Sequence, residues 1–327
     1  MENRQLVLLS RPQGLAGPEH FALQTAPTKS PQAGEVLVKT RYLSIDPAMR
    51  VWLDADPGYV EPLALGSVMR GGGIAEVIES AASEFETGDV VQARVGWQSH
   101  PTLSATSLQK IDLDLGSETD WIGPLGLTGL TAYFGLLDIG QLSSGETVLV
   151  SAASGAVGQM VGQIAKLHGA TTIGIAGSAQ KCQIARDEHG FDHVIDYHSD
   201  VPLAQQIPDG IDVYFDNVGG PTLDAALSKL AQRGRVVLCG RISQTAATEL
   251  YGVKHIGLLI GKRARLQGFI VSDFVERYAQ AREWIAQRLA DGQLHQRLHI
   301  LDGLEQCPAG LGLLFAGGNT GKLVVRV

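Results

Sequence analysis

Between residues 146 and 168 the chain passes from an apolar strand pattern, ETVLVSA (146–152), through Ala153-Ser154-Gly155-Ala156-Val157-Gly158 into an amphipathic helix pattern. This A-x-G-x-x-G constrains the fold more than any other feature. Gly155 lets the backbone approach a pyrophosphate, Gly158 lets the helix pack close on the sheet, and the helix N-terminus faces the anion. Ala153 replaces the first glycine, so the motif depends on its context. That context is present. Strand-like runs recur at 171–177, 193–197, 211–217, 234–240 and 266–271. Val157, Met160, Val161, Ile164 and Leu167 give 156–168 one apolar face, and 221–232 opens on Pro221 and closes before Gly234. Six strands with intervening helices predict an α/β doubly wound parallel sheet, because parallel neighbours need crossovers.

The end of the second strand selects the dinucleotide. An NAD site carries Asp or Glu there to bind the ribose hydroxyls, but this strand ends Ala176-Gly177-Ser178. Ser178 reads as an N-cap, placing Lys181 at the third helical position, where a cation opposes the helix dipole at a cost of about 0.3–1 kcal/mol. A 2′-phosphate reverses that sign. The pattern therefore favours NADP(H) with Lys181 as the phosphate contact, against a solvated surface lysine.

Residues 1–110 have another texture. EVLVKTRYLSI (35–45), GGIAEVIES (72–80) and DVVQARVG (89–96) are short strand patterns separated by turn residues, predicting a compact antiparallel β domain. The amphipathic stretch 274–290 leads to GKLVVRV (321–327), a final strand expected to return to that domain.

Composition narrows the function. Lys plus Arg number 26 against 34 Asp plus Glu, a formal net charge of −8, which argues against nucleic-acid or anionic-membrane partners. The uncharged window 147–165 holds Ser151, Ser154, Gln159 and Gln163 and reads as a buried strand-turn-helix, not a membrane span. Leu6 to Leu9 is too short for a signal-peptide core, and Cys182, Cys239 and Cys307 form no pairing framework, so a soluble cytoplasmic protein is expected. His295 and His299 have helical metal spacing without the H-E-x-x-H glutamate, and His189 and His193 straddle a glycine. All four read as surface or capping residues, and no metal site is expected. G-x-S-x-G and the P-loop are absent.

Eight stretches in order, SIDPAMR (44–50), MRGGGIAEVIES (69–80), LGLTGLTAYFGLLDIG (125–140), ASGAVGQMVGQIAKLHGA (153–170), YFDNVGG (214–220), LCGRISQ (238–244), KRARLQGFIV (262–271) and GGNTGKLVV (317–325), carry a resemblance over nearly the whole chain. The sequence is similar to the zinc-free medium-chain dehydrogenase/reductase superfamily, in its prostaglandin reductase and alkenal/enone double-bond reductase branch. The resemblance implies a GroES-like β-barrel domain from residues 1–121 and 296–327, and a Rossmann NADP-binding domain from 122–295. It implies cofactor contacts at Gly155, Ala156, Val157, Gly158, Ser178, Lys181 and Tyr197, at Asn217, at Cys239, Gly240, Arg241, Ile242 and Ser243, at Phe269, Ile270 and Val271, and at Asn319. It also implies a homodimer with 266–271 as the edge strand.

On their own, Asn217 also reads as a turn-forming residue, Tyr197 as sheet-edge packing and Arg241 as a solvated loop residue. Where relatives carry tyrosines the chain has Ala48, Thr245 and Gly261. The implied chemistry is hydride transfer from NADPH to the β-carbon of an activated alkene, followed by protonation at the α-carbon, without metal. Tyr251 and Tyr59 are the candidate donors to the developing oxyanion and Trp97 the candidate pocket wall, each also readable as packing. The alternatives are a quinone reductase of the same superfamily and an NADPH-binding sensor or structural protein with little turnover.

Overall fold

The computed structural model describes every residue except Tyr59 and Thr248. The chain divides into two compact units. The first holds Met1–Ile122, Leu298–Asn319 and Leu323–Val327, and the second Gly123–Arg297 with Thr320–Lys322.

In the first unit, β1 (Glu2–Leu8) and β2 (Phe21–Pro27) form an antiparallel pair. Strands β3 (Glu35–Ser44), β4 (Gly73–Ser80) and β5 (Val90–Ala93) pair antiparallel in that order, with β6 (Thr102–Ser104) on β3 and β7 (Leu108–Lys110) on β5. Alternation in these strands buries Val36, Val38, Leu43, Ala75, Val77 and Val91 in one core.

The second unit carries the parallel sheet. Its strands are β8 (Thr147–Ser151), β9 (Thr171–Ala176), β10 (His193–Asp196), β11 (Ile211–Asp216), β12 (Leu230–Leu238) and β13 (Arg265–Gly268). Their spatial order is β10-β9-β8-β11-β12-β13, with every pair parallel. Order reverses between β8 and β11, the switch point at which open α/β sheets bind ligands beyond their carboxyl ends. The longer helices of this unit are α1 (Leu127–Phe134), α2 (Ala156–Leu167), α3 (Ala179–Asp187), α4 (Gly220–Lys229) and α5 (Tyr278–Ala290).

Returning to the first unit, β14 (Leu298–Asp302) is followed by α6 (Cys307–Phe315) and β15 (Lys322–Arg326), and β15 lies antiparallel beside β3. The expected final strand therefore extends the first unit's sheet.

Two boundaries differ from the periodicity. The helix predicted over 221–232 stops at Lys229, because Leu230 pairs with Ile211 and is buried, so β12 starts early. A register shift then absorbs Arg233, whose φ is 62°. The stretch 274–290 is a tight turn over Val271–Arg277, kinked at Phe274, followed by α5.

One histidine departs from expectation. His189 is 3% exposed, and neither ring nitrogen has a hydrogen-bond partner. Burial holds it neutral, with its pKa pushed from 6.5 to about 4. The unfolded chain takes up that proton near the ordinary value, so between the two values it binds more protons than the fold. Stability is therefore fully present above pH ~6.5 and is lost as pH falls toward about 4, by roughly 3 kcal/mol in total. Denaturant titrations across this range should show that slope, and His189→Leu should flatten it. A slope unchanged by the substitution would assign the loss to other groups.

Candidate functional site

At the end of β8, Ala152 turns the chain with a φ of 52°. Ala153 donates its N–H to the Ile175 carbonyl at 3.0 Å, and Gly155 donates to Ala152 at 2.8 Å, which closes the turn into α2. A Cβ on Gly158 would lie closer than 3.0 Å to the Ala152 carbonyl oxygen and carbon. Only glycine lets the helix start this near the strand. No side chain caps α2. Its first-turn N–H groups at Ala156, Val157 and Gly158 lack intrahelical partners and, beside Gly155, make a candidate anion cradle.

On the next strand, Ser178 caps α3 and accepts the Lys181 N–H at 3.2 Å. Lys181 stands in the first turn, and partial burial lowers the pKa of its amine. Tyr197 lies directly over Gly177: a Cβ there would sit 2.7 Å from the phenol ring. The tyrosine is 50% exposed and faces His198 at 4.2 Å, so it borders open space at the strand ends instead of packing into the sheet.

The switch point is held by a polar hub that sequence reasoning missed. Ser151 Oγ accepts the Asn217 N–H at 2.9 Å, and Asn217 Nδ2 donates to the Ser151 carbonyl at 2.8 Å. Asn217 thus ties β11 to β8 instead of closing a local turn. Asp216 is fully buried. Its Oδ1 accepts from Tyr214 Oη at 2.7 Å, Ser151 Oγ at 3.2 Å and the N–H groups of Val218 and Gly219 at 3.0 and 2.9 Å. Burial nevertheless raises its pKa. The available signal was the carboxylate of Asp216 directly after the apolar run Val213-Tyr214-Phe215.

The loop after β12 docks on this hub. The N–H groups of Cys239 and Gly240 donate to the Asp216 carbonyl at 2.9 and 3.0 Å, Ile242 N–H donates to Asn217, and Ser243 N–H and Oγ to Val218. Arg241 is exposed. Cys239 is desolvated, which pushes its thiol pKa up to about 12 and keeps it protonated. A cavity of about 370 Å³ lies beside the hub, bordered by Asp216, Gly219, Leu238, Cys239, Arg241 and Tyr251. Beyond β13, Phe269 packs on Gly135, just past the end of α1, where an added Cβ would lie 2.7 Å from its ring. Ile270 is 53% exposed, and Val271 begins the turn before α5.

The catalytic candidates fare differently. Tyr251 Oη donates to Asp224 Oδ2 at 2.9 Å, and Asp224 also accepts the N–H groups of Lys254 and His255. The phenol therefore latches its loop to α4. Trp97, expected as a pocket wall, is instead a core residue of the first unit, wholly buried and 5.1 Å from Phe21. Asn319 belongs to the first unit as well. Tyr59 lies outside the described residues. Ala48 is exposed, Thr245 Oγ1 donates to the Arg241 carbonyl, and Gly261 has open space where a Cβ would be.

Among the described residues no group of three or more His, Cys, Asp or Glu side chains is placed to hold a metal ion, and no helix is long and apolar enough to cross a membrane.

Comparison with known proteins matches residues 4–111 to the N-terminal domain of oxidoreductases and residues 156–287 to zinc-binding dehydrogenases. The donor arrangement above does not fit the zinc that the second description names. The chain is 42% identical over 335 residues to the NADPH-dependent curcumin reductase of Escherichia coli, covering 99% of this chain and 97% of that protein. It is 38% identical over 339 residues to the NADP(+)-dependent 2-alkenal reductase of Nicotiana tabacum, covering 100% and 98%. The crystal structure of CurA from Vibrio vulnificus in complex with NADPH superposes with a TM-score of 0.92 at 41% identity, covering 99% of each chain. The parallel sheet with its glycine turn, the antiparallel unit beside it in sequence and these full-length similarities place the chain in the medium-chain dehydrogenase/reductase superfamily, in the branch of alkenal, curcumin and prostaglandin reductases.

Proposed function

We propose that this protein is an NADPH-dependent reductase of the activated C=C bond of α,β-unsaturated ketones and aldehydes, acting at the β-carbon. The observation that carries the cofactor reading is the pairing of an uncapped helix N-terminus at Gly155–Gly158 with Lys181 in the first turn of α3. No acid stands at the end of β9. Full-length similarity to curcumin and 2-alkenal reductases supports the reaction class.

In this reading the cradle holds the pyrophosphate, Lys181 and Ser178 hold the 2′-phosphate, and Tyr197 borders the adenosine. Asn217, the 239–243 loop and residues 269–271 hold the nicotinamide half. Bound NADPH supplies the hydride. The 216–218 and 239–243 segments, bonded to each other through backbone groups, would give the nicotinamide a fixed floor. Geometry of this kind supplies much of an enzymatic rate.

Stopped-flow mixing of the protein and NADPH with enones, alkenals and quinones tests the reading. Oxidation with enones or alkenals supports it. Preference for quinones points to the quinone reductase alternative, and tight binding without turnover to a sensor. Tyr251→Phe should leave kcat within about threefold, since a proton donor contributes ~10²–10⁴-fold. A loss of that larger size would return Tyr251 to the chemistry.

The proposed assembly is a homodimer. β13 is the terminal strand of its sheet, and Ile260, Ile270 and Val275 beside it are 84%, 53% and 61% exposed. An unpaired edge with apolar neighbours is normally covered. Light scattering should give twice the chain mass of 34.7 kDa. A monomeric mass that persists at micromolar concentration would remove this assignment.

A further inference from the structure

Two buried glutamines on α2 are used in an unusual way. Gln163 accepts the His295 N–H and donates to the His295 carbonyl, both at 2.9 Å. Gln159 accepts the Arg297 N–H at 2.7 Å and donates to the Arg297 carbonyl at 3.3 Å. Each amide thus exchanges a pair of bonds with one residue, as a neighbouring strand would. The spacing suits this. Positions i and i+4 of a helix rise about 6 Å, and positions j and j+2 of an extended chain rise about 6.6 Å.

The held segment passes the restraint on. The Arg297 carbonyl accepts the Lys322 N–H at 2.9 Å, and Arg297 Nε donates to Thr320 Oγ1 at 3.2 Å. Gly321 then donates its N–H to the Ser154 carbonyl at 2.9 Å and forms a parallel bridge with Gly155. These bonds explain why Thr320–Lys322 belong to the second unit although the residues on both sides belong to the first. Gly321 has a φ of 72°, and a Cβ there would collide with the Arg297 carbonyl.

We propose that Gln159 and Gln163 are positioning residues for dinucleotide binding: they hold the 295–297 segment in place, that segment holds 320–322, and 320–322 holds the Ser154–Gly155 turn in the form that receives a pyrophosphate. Neither side chain touches the nucleotide. The inference rests on the reading of the turn as the pyrophosphate site.

The test compares the wild-type protein with Gln159→Met and Gln163→Met, which keep length and burial while removing the bonds to Arg297 and His295 (Gln163→Met also loses its bond to the Gln159 carbonyl), and with Gly321→Ala, which strikes the relay from its other end. Calorimetry measures the Kd of NADPH and of adenosine 2′-monophosphate, which reaches the Lys181 end but has no pyrophosphate. Amide hydrogen exchange is followed at 295–297 and 320–322 without nucleotide. The expected result is NADPH binding weakened about tenfold, 2′-monophosphate binding within twofold of wild type, and faster exchange in both segments. Unchanged NADPH affinity, or equal losses for both ligands in all three variants, overturns the proposal. A wild-type protein that binds neither ligand overturns the dinucleotide reading itself, and the relay with it.

Discussion

Gly158→Ala is expected to destabilise the second unit by about 2–3 kcal/mol, the range for forcing an extra methyl group into a packed site. The new Cβ meets the Ala152 carbonyl oxygen and carbon and the Ala153 Cα. All three are backbone atoms of the turn, so no side chain can swing aside. Ala152 already has a φ of 52°, and moving its carbonyl disturbs the Gly155-to-Ala152 bond that closes the turn. The lost stability should lower Tm by roughly 4–10 °C. Because the same backbone forms the anion cradle, NADPH should also bind at least tenfold more weakly, about 1.4 kcal/mol. Gly252→Ala is the control: its added methyl meets nothing within 4 Å, and its effect should stay within about 0.5 kcal/mol. Thermal melts with and without NADPH read both effects. A Gly158→Ala protein with wild-type Tm and NADPH affinity would show that the helix start tolerates a side chain.

Lys181→Ala is expected to raise KM for NADPH by about 10–100-fold while leaving KM for NADH near its starting value. A hydrogen bond to a charged group is worth about 1.5–3 kcal/mol, and each ~1.4 kcal/mol is a factor of ten. The lysine sits one turn into α3, where the capped N-terminus presents a positive dipole end. Partial desolvation lowers its pKa. A bound 2′-phosphate would bring a full negative charge to a place shaped by Ser178 and the α3 dipole. Thermal shift offers a second readout: NADP⁺ should stabilise the wild type more than NAD⁺ does, and Lys181→Ala should close that gap. An NADPH preference that survives the substitution would move the 2′-phosphate to another group.

Some of this site was legible at short range. The turn 153–158, the Ser178 cap and the position of Lys181 follow from local patterns, since capping and helix entry involve residues three or four apart. The sequence predicted the strands that end at Gly177 and Tyr197, but that they lie side by side came from the sheet order. Other features were beyond reach. Tyr251 looked like a free phenol, but its partner Asp224 lies 27 residues earlier on α4. Trp97 was a candidate pocket wall, yet it is wholly buried in the core of the first unit. His189 resembled a surface residue after α3, and only tertiary packing buries it.

The strand–turn–helix pattern by itself determined a parallel sheet with a glycine turn at the start of α2, because hydrophobic period, caps and glycine positions act within a few residues. Tertiary structure alone decided how that turn is braced. Asn217 reaches Ser151 across 66 residues and Arg297 reaches Gln159 across 138. A buried amide or carboxylate takes whichever partner the folded chain brings within about 3 Å. Nothing in the local sequence around it specifies that partner.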